Sequence, residues 1–406
     1  MTTPLYDIDA LTTALAGPVR LVAIRPASEV LAVGPRQFLH SGPPLRSDVL
    51  PGSFRGALIA GLLFEDQAAD VAEAEAIIDA GELSFSPCQD TNAAGPLTGV
   101  ITPNTPVVVA EHANGSTAVT PLHEGDHGGL RSGMFDEHTI MRLRWIRDVI
   151  APALASIVAE REPLDITAAQ VSALKRGDEC HNRNIASTQA LLGEWASDVA
   201  ALDRGTSQAV FTYLTSTSQL FISLSAAASK VTADTIHRTA GPGLVTGIAM
   251  NGHEFGIRVS GFDGWFTAPS PDGPMVPLDG GDITQAGLGH GDSPIIESVG
   301  LGACSLTAAP ALAQAFGLTI ARAHEVVRDL RQITAVDSPV FGLAPDEWRG
   351  SPSVFDVAKV AATGIAPSTT LGFMHRVPGA GRVGVGLIPM PLAPFVEAAE
   401  RLGSAT

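Results

Sequence analysis

The chain has 406 residues, is 45% hydrophobic and carries a formal net charge of −17. That length allows two or three domains, and the acidic balance, unbroken by any Lys or Arg cluster, argues against nucleic-acid binding and against anionic membrane surfaces. Gly (42) and Pro (29) are abundant, but the hydrophobic content is that of a folded chain rather than a disordered one.

Residues 19–24 predict a buried strand. The almost wholly apolar stretch 56–64 predicts a buried helix. Residues 67–80 predict an acidic, Ala-rich second helix that Gly81 ends. A turn-rich loop over 86–99 precedes two strands, 106–111 and 117–122, whose junction contains Asn114-Gly115, a hairpin signal. A long helix over 136–160 carries Ile140, Leu143, Trp145, Ile146, Val149 and Ile150 as its apolar positions. The middle of the chain reads as helical throughout, with helices over 166–175, 182–202 and 207–231. Beyond residue 241, glycine-rich loops and β-like runs at 256–260 and 265–268 lead into helices over 305–316, 318–334 and 352–363. Strands near 369–375 and 383–388 and a helix over 391–402 finish the chain. Strands and helices mix without a regular βαβ rhythm, so the expected class is α+β. The expected layout is two mixed domains, 1–160 and 237–406, with a small helical domain, 161–236, between them.

There is no apolar run of about 18 residues for a membrane span and no charged leader followed by an apolar stretch. Cys88, Cys180 and Cys304 are odd in number and widely spaced, which points to reduced thiols and a cytoplasmic setting. Lysine occurs only at Lys175, Lys230 and Lys359, a bias towards Arg that coding preference accounts for.

The densest polar stretch is Gly177-Asp178-Glu179-Cys180-His181-Asn182-Arg183-Asn184. An Asp N-cap with a polar first turn explains it at one level; a convergent site explains it at another. Its spacing matches no zinc or di-iron pattern, so no metal and no cofactor is expected. Six further loops join polar or ionisable groups to Gly or Pro. These are His40-Ser41-Gly42-Pro43-Pro44; the run from Cys88 through Asn92 and Gly95 to Gly99; the loop Glu124 to Gly133 with Arg131; Asn251-Gly252-His253-Glu254; Gly291-Asp292-Ser293 with Glu297; and His375 to Gly386 with two Arg. Each is readable as a turn. Together they place carboxylate, amide and Arg groups at separated points, which a site shared between domains would require.

Eight segments, "LHSGPP", "CQDTNAAGPLTG", "LRWI", "GDECHNRN", "MNGHEFGIRVSG", "WFTAPSP", "GDSPIIESVGLG" and "HRVPGAGRVGVG", occur in order within about 19–402. In this the chain resembles the YlbE-like family, which includes the AllG subunits of oxamate carbamoyltransferase. The resemblance implies an α+β fold with a small helical domain. It also implies FdrA-like and AllH-like partner subunits, and transfer of a carbamoyl group between phosphate and oxamate in allantoin and purine breakdown. A homo-oligomer and a small anionic substrate are expected too. The family helix usually reads Asn-Asp-His-Phe-Phe-Leu-Asn-Leu, where this chain has Thr217-Ser218-Gln219-Leu220-Phe221-Ile222-Ser223-Leu224, so a different substrate is one implication. The N-terminus is also shorter than in many relatives.

Carbamoyl transfer needs an anion grip, donors for the carbamoyl oxygen and a base. Glu179, His181 and Glu254 are the expected acid–base groups. His40, Ser41, Asn92, Gly95, Arg131, Asp178, Asn182, Arg183, Asn184, Asn251, Asp292, Ser293 and Glu297 are the expected substrate contacts. The Ser-x-Arg-Thr and His-Pro-x-Gln signatures of aspartate and ornithine carbamoyltransferases are absent. A non-catalytic metabolite-binding scaffold, or an enzyme cleaving another amide or ureido bond, remains open at this level.

Overall fold

The computed structural model describes residues 4–45, 49–126, 128–278 and 280–405. The architecture is α+β, built from five small sheets and the helices packed on them. In the first sheet, Val19–Pro26 pairs antiparallel with Pro106–His112, which continues to Thr117–Pro121, and the short strand Leu164–Asp165 covers the other edge. The hairpin forms where Asn114-Gly115 predicted it: Gly115 takes φ +82° and Asn114 Oδ1 accepts from Ser116 N at 2.9 Å.

A second sheet sets two of the polar loops side by side. Gln37–His40 runs parallel to Ser84–Pro87 and antiparallel to Val100–Ile101. The 41–45 and 88–99 loops therefore leave neighbouring strands. The helix Gly52–Phe64 packs on this sheet and is buried on nearly every side, which explains its unbroken apolar sequence.

In the C-terminal half, Val245–Asn251 lies between Glu254–Val259 and His290–Gly291, with Phe266–Pro269 outermost. Every residue of Val245–Asn251 is buried. Such a strand has no polar alternation to announce it, and sequence periodicity misses it. A hairpin of Ser368–Met374 and Arg382–Pro389 forms another sheet with Val276–Pro277. Thr334–Leu343 pairs with Arg349–Phe355, so the start of the helix expected over 352–363 is instead a strand; the helix is Val357–Thr363, capped by Asp356.

The helix Phe221–Thr239 is the spine of the molecule. It packs on Pro106–His112, Thr117–Pro121, Val245–Asn251 and the short helix Ile295–Ser298. Its buried run Ser225-Ala226-Ala227-Ala228-Ser229 lets strands from both halves approach closely. The helix expected over 207–231 is thus two, Arg204–Thr215 and Phe221–Thr239, broken at 216–220. The long helix expected over 136–160 is also interrupted: Glu137–Trp145 passes through a π turn, Ile146–Ile150, into Ala151–Glu160. Pro152 supplies the reason, because it lacks an N–H and crowds the carbonyl four residues earlier. One continuous core runs from Tyr6 to Leu402. Among the described residues no helix is long and apolar enough to cross a membrane.

Leu224 lies in the first turn of the spine helix and is fully buried. Leu224→Ala should therefore lower unfolding free energy by about 2–5 kcal/mol, read as a shift of the urea midpoint at unchanged m-value.

Candidate functional site

The octet closes on its own carboxylate. Gly177 and Cys180 both take positive φ, +90° and +66°, and the backbone curls so that Glu179 accepts N–H bonds from His181 (2.7 Å), Asn182 (2.6 Å) and Arg183 (3.1 Å). This is not the first turn of a helix. The helix begins at Ile185, and Asp178 accepts from the backbone N and hydroxyl of Ser187 in its first turn, at 2.8 and 2.9 Å. Arg183 donates to Gly177 O at 3.0 Å and lies 3.4 Å from Asp178, so its guanidinium braces the loop. Asn184 donates to His181 O at 2.7 Å and to Gln219 Oε1 at 3.2 Å.

This loop presents His181 to a second buried carboxylate. His181 Nδ1 lies 2.9 Å from Glu297 Oε1 and 3.0 Å from Thr370 Oγ1. Glu297 Oε1 also accepts from the backbone N of Thr370 (3.1 Å) and Ala303 (3.3 Å). Gly302 makes the approach possible: a Cβ there would sit 2.4 Å from Glu297 Oε1. Burial works against the His181 imidazolium, but the charge and hydrogen bond of Glu297, aided by Glu179, outweigh it and raise its pKa. Burial pushes Glu179 up to about 7 despite its three N–H bonds.

His181 and Asn182 line a cleft of about 440 Å³. Across it stand His123, Asp126 and Arg131 from the 122–133 loop, Arg382 from the last hairpin, Ser218 and Gln219 from the break before the spine helix, and Ile222 from that helix's first turn. Leu312 and Phe316 contribute an apolar wall, and Ser293 lies on the lining as well. Arg131 is buried and donates to Gly125 O at 3.1 Å, while its backbone N binds Glu124. Burial and the neighbouring Arg382 charge hold the Arg131 guanidinium down at about 10. Arg131 Nε, His123 Nε2 and Asn182 Nδ2 are buried donor positions without a hydrogen-bond partner among the described residues. The sequence-predicted residues on the cleft are therefore Arg131, His181, Asn182 and Ser293, with Gly95 on an adjoining recess.

Asp178, Glu179, Asn184 and Glu297 act behind the lining. Asp292 does so too: fully buried, it accepts from Gly42 N at 2.8 Å and Gly95 N at 2.7 Å, clamping both N-terminal loops. A Cβ at Gly95 would lie 2.6 Å from Ser41 Oγ and 2.9 Å from Cys88 Sγ, so only glycine fits there. His40 binds Ser41 O and packs edge-on against Phe54, away from the cleft lining. Asn92 serves the fold through its carbonyl, which accepts from Val119 N. Asn251 accepts from the backbone of His253 and Glu254 and donates to Pro43 O at 2.9 Å, closing a turn. Glu254 accepts from Thr267 on the adjacent strand; it is not brought to the cleft. Burial raises the Cys88 and Cys180 thiols well above their usual range, the behaviour of packed side chains. Sequence reasoning did not single out His123 or Thr370. Asp126 and Arg382 fall inside two of its candidate loops, 124–133 and 375–386, and Ser218 and Gln219 inside the stretch that departs from the family helix, but none of the four was chosen as a site residue.

The fold and cleft define an α+β protein whose two halves share one polar site, with a carboxylate-held imidazole opposite two arginines. Sequence comparison gives the family: the chain belongs to the AllG family, whose model, oxamate carbamoyltransferase subunit AllG, matches residues 83–293. The chain is 34% identical over 389 residues to the oxamate carbamoyltransferase subunit AllG of Escherichia coli (strain K12), covering 93% of this chain and 92% of that one. It is 33% identical over 369 residues to the uncharacterized protein YahG of the same organism, covering 89% and 78%. The crystal structure of a conserved protein of unknown function from Enterococcus faecalis V583 matches with a TM-score of 0.93 at 33% identity, over 97% of this chain and 96% of that one.

The buried titratable groups fix a pH dependence. Burial pushes Glu124, Glu179 and Asp292 each up to about 7, whereas in the unfolded chain they ionise near ~4. The folded state therefore holds protons between these values that the unfolded state has released. That stabilisation is present at low pH and is lost as pH rises through 7. His181, with its raised pKa, acts in the same direction. His40, His123 and His290 are kept neutral by burial and act oppositely, but only below the unfolded value of about 6.5. Tm should hence fall between pH 6.5 and 8, and Glu179→Gln should flatten part of that fall in calorimetry. A Tm that rises over this interval would contradict the assignment.

Proposed function

We propose that this cleft transfers a carbamoyl group between the nitrogen of an oxamate-type amide and phosphate, as one subunit of an oxamate carbamoyltransferase. The observation carrying this reading is the buried His181–Glu297 pair facing Arg131 and Arg382 across one cleft, in a chain of the AllG family. Guanidinium groups in a partly dehydrated cleft suit phosphate and carboxylate oxygens, and the two arginines are the anion grip of this scheme.

In the direction that forms carbamoyl phosphate, an oxygen of hydrogenphosphate attacks the carbamoyl carbon of N-carbamoyl oxamate. A tetrahedral oxyanion forms, the C–N bond to oxamate breaks, and the leaving nitrogen gains one proton. The hydrogenphosphate supplies that proton. With Nδ1 held by Glu297 and Thr370, His181 Nε2 is the ring atom that takes the proton from the nucleophile and passes it to the nitrogen. Glu297 orients the ring and stabilises the transient imidazolium, as a buried carboxylate does in other imidazole–carboxylate pairs. Glu179 shapes the loop that carries His181. FdrA-like and AllH-like proteins complete the assembly, whose place is allantoin breakdown; self-association of this chain is part of the same proposal.

The test is phosphate-dependent cleavage of N-carbamoyl oxamate, read as carbamoyl phosphate, with this chain alone and with its FdrA-like and AllH-like partners. His181→Ala should lower kcat by about 10²–10⁴ without altering the melting curve by more than a few degrees. Arg131→Lys should raise KM for phosphate. Turnover that survives His181→Ala would remove His181 from the chemistry. A folded full assembly that leaves N-carbamoyl oxamate intact would overturn the reaction.

A further inference from the structure

His123 is the second histidine on the cleft, and its ring is fixed differently from that of His181. The backbone N–H of Gly125 donates to His123 Nδ1 at 3.2 Å, which makes Nδ1 the acceptor and places the ring proton on Nε2. Nε2 is itself buried and has no hydrogen-bond partner among the described residues, although the side chain lines the cleft and its adjoining recess. The ring cannot readily swing away. Tyr213 donates to His123 O at 2.8 Å, and Arg142 donates to Glu124 O at 2.9 Å, so the backbone on which the imidazole sits is held from two helices.

The charged groups around it come from every neighbouring element. Arg131, Asp126 and Glu124 lie on its own loop, Arg142 and Tyr213 on the packed helices, and Arg382 on the last hairpin. Burial first, then the Arg131, Arg382 and Arg142 charges, drive the His123 pKa well below the usual histidine range. A second cation would be repelled here, but a neutral N–H is compatible with three guanidinium groups.

We propose that His123 is held as the neutral Nε2–H imidazole and donates, beside Arg131 Nε, to the substrate carbonyl oxygen on which negative charge develops. The inference rests on the carbamoyl-transfer reading for the identity of that oxygen. The donor geometry itself does not depend on it. A buried donor preset on a backbone tied to two helices is the arrangement that stabilises a tetrahedral oxyanion. Unlike His181, this imidazole moves no proton. The division is between one histidine paired to a carboxylate and one encircled by arginines.

The experiment has two arms. The first is a long-range proton–nitrogen spectrum of the ¹⁵N-histidine protein, with the His123 ring assigned by its loss in His123→Gln. Nε2 should carry the proton and Nδ1 should not, unchanged from pH 5.5 to 8, and the Nε2–H signal should shift on addition of N-carbamoyl oxamate without phosphate. A proton on Nδ1, a midpoint near neutral pH, or indifference to saturating N-carbamoyl oxamate would overturn the proposal. The second arm is kinetic, in the full assembly. His123→Ala, in protein whose melting curve shows it folded, should lose about 100- to 1,000-fold in kcat, and His123→Gln, whose amide N–H replaces Nε2–H, should recover most of it. An active His123→Ala enzyme would overturn the donor role. The spectrum needs no turnover, so an assembly without carbamoyl transfer would count against the reaction and leave the donor assignment to be judged by the first arm.

Discussion

The site depends on two carboxylates buried five residues apart in one segment. Asp292 receives the backbone N–H groups of Gly42 and Gly95, which belong to two different N-terminal loops. Glu297, one turn further on, receives His181 and the backbone of Thr370 and Ala303. Both are removed from water, and an unpaired charge there would cost several kcal/mol. Donors from four distant parts of the sequence must therefore converge on this segment. The cleft is what remains between them once they do.

That constraint explains the glycines better than flexibility does. Gly95 and Gly302 are positions where a side chain would collide with the groups that the carboxylates gather, Ser41 and Cys88 in one case and Glu297 in the other. It also explains the small residues of the helix Phe221–Thr239. Strands from both halves reach the same segment only because Ala and Ser let them close on this helix. Composition groups that helix with the helical middle of the chain, yet its packing makes it the shared spine.

Much of this was legible in the sequence where local chemistry decides the outcome. The Asn114-Gly115 hairpin, the apolar helix ending at Phe64 and the terminal hairpin followed from patterns of short range. The family was legible too. What was not legible depends on burial. The strand Val245–Asn251 is covered on both faces and has no alternation to detect. Glu254 looked like a base because it stands beside a polar turn, but its strand faces Thr267 rather than the cleft. His123 and Thr370 carry no motif, since a histidine before a glycine loop and a threonine in a strand are ordinary residues until their neighbours are known. Asp178 read as a ligand contact and Glu179 as an acid–base group, and both lie behind the lining as bracing.

The central claim is that anions bind between Arg131, Arg382 and the 177–184 loop that carries His181. A crystal structure of this chain soaked with N-carbamoyl oxamate tests it most directly. The account predicts ordered ligand between Arg131, Arg382 and His181, with an oxygen within hydrogen-bond distance of His123 Nε2. Ligand bound reproducibly elsewhere, with this cleft holding only solvent at saturating concentration, would contradict it.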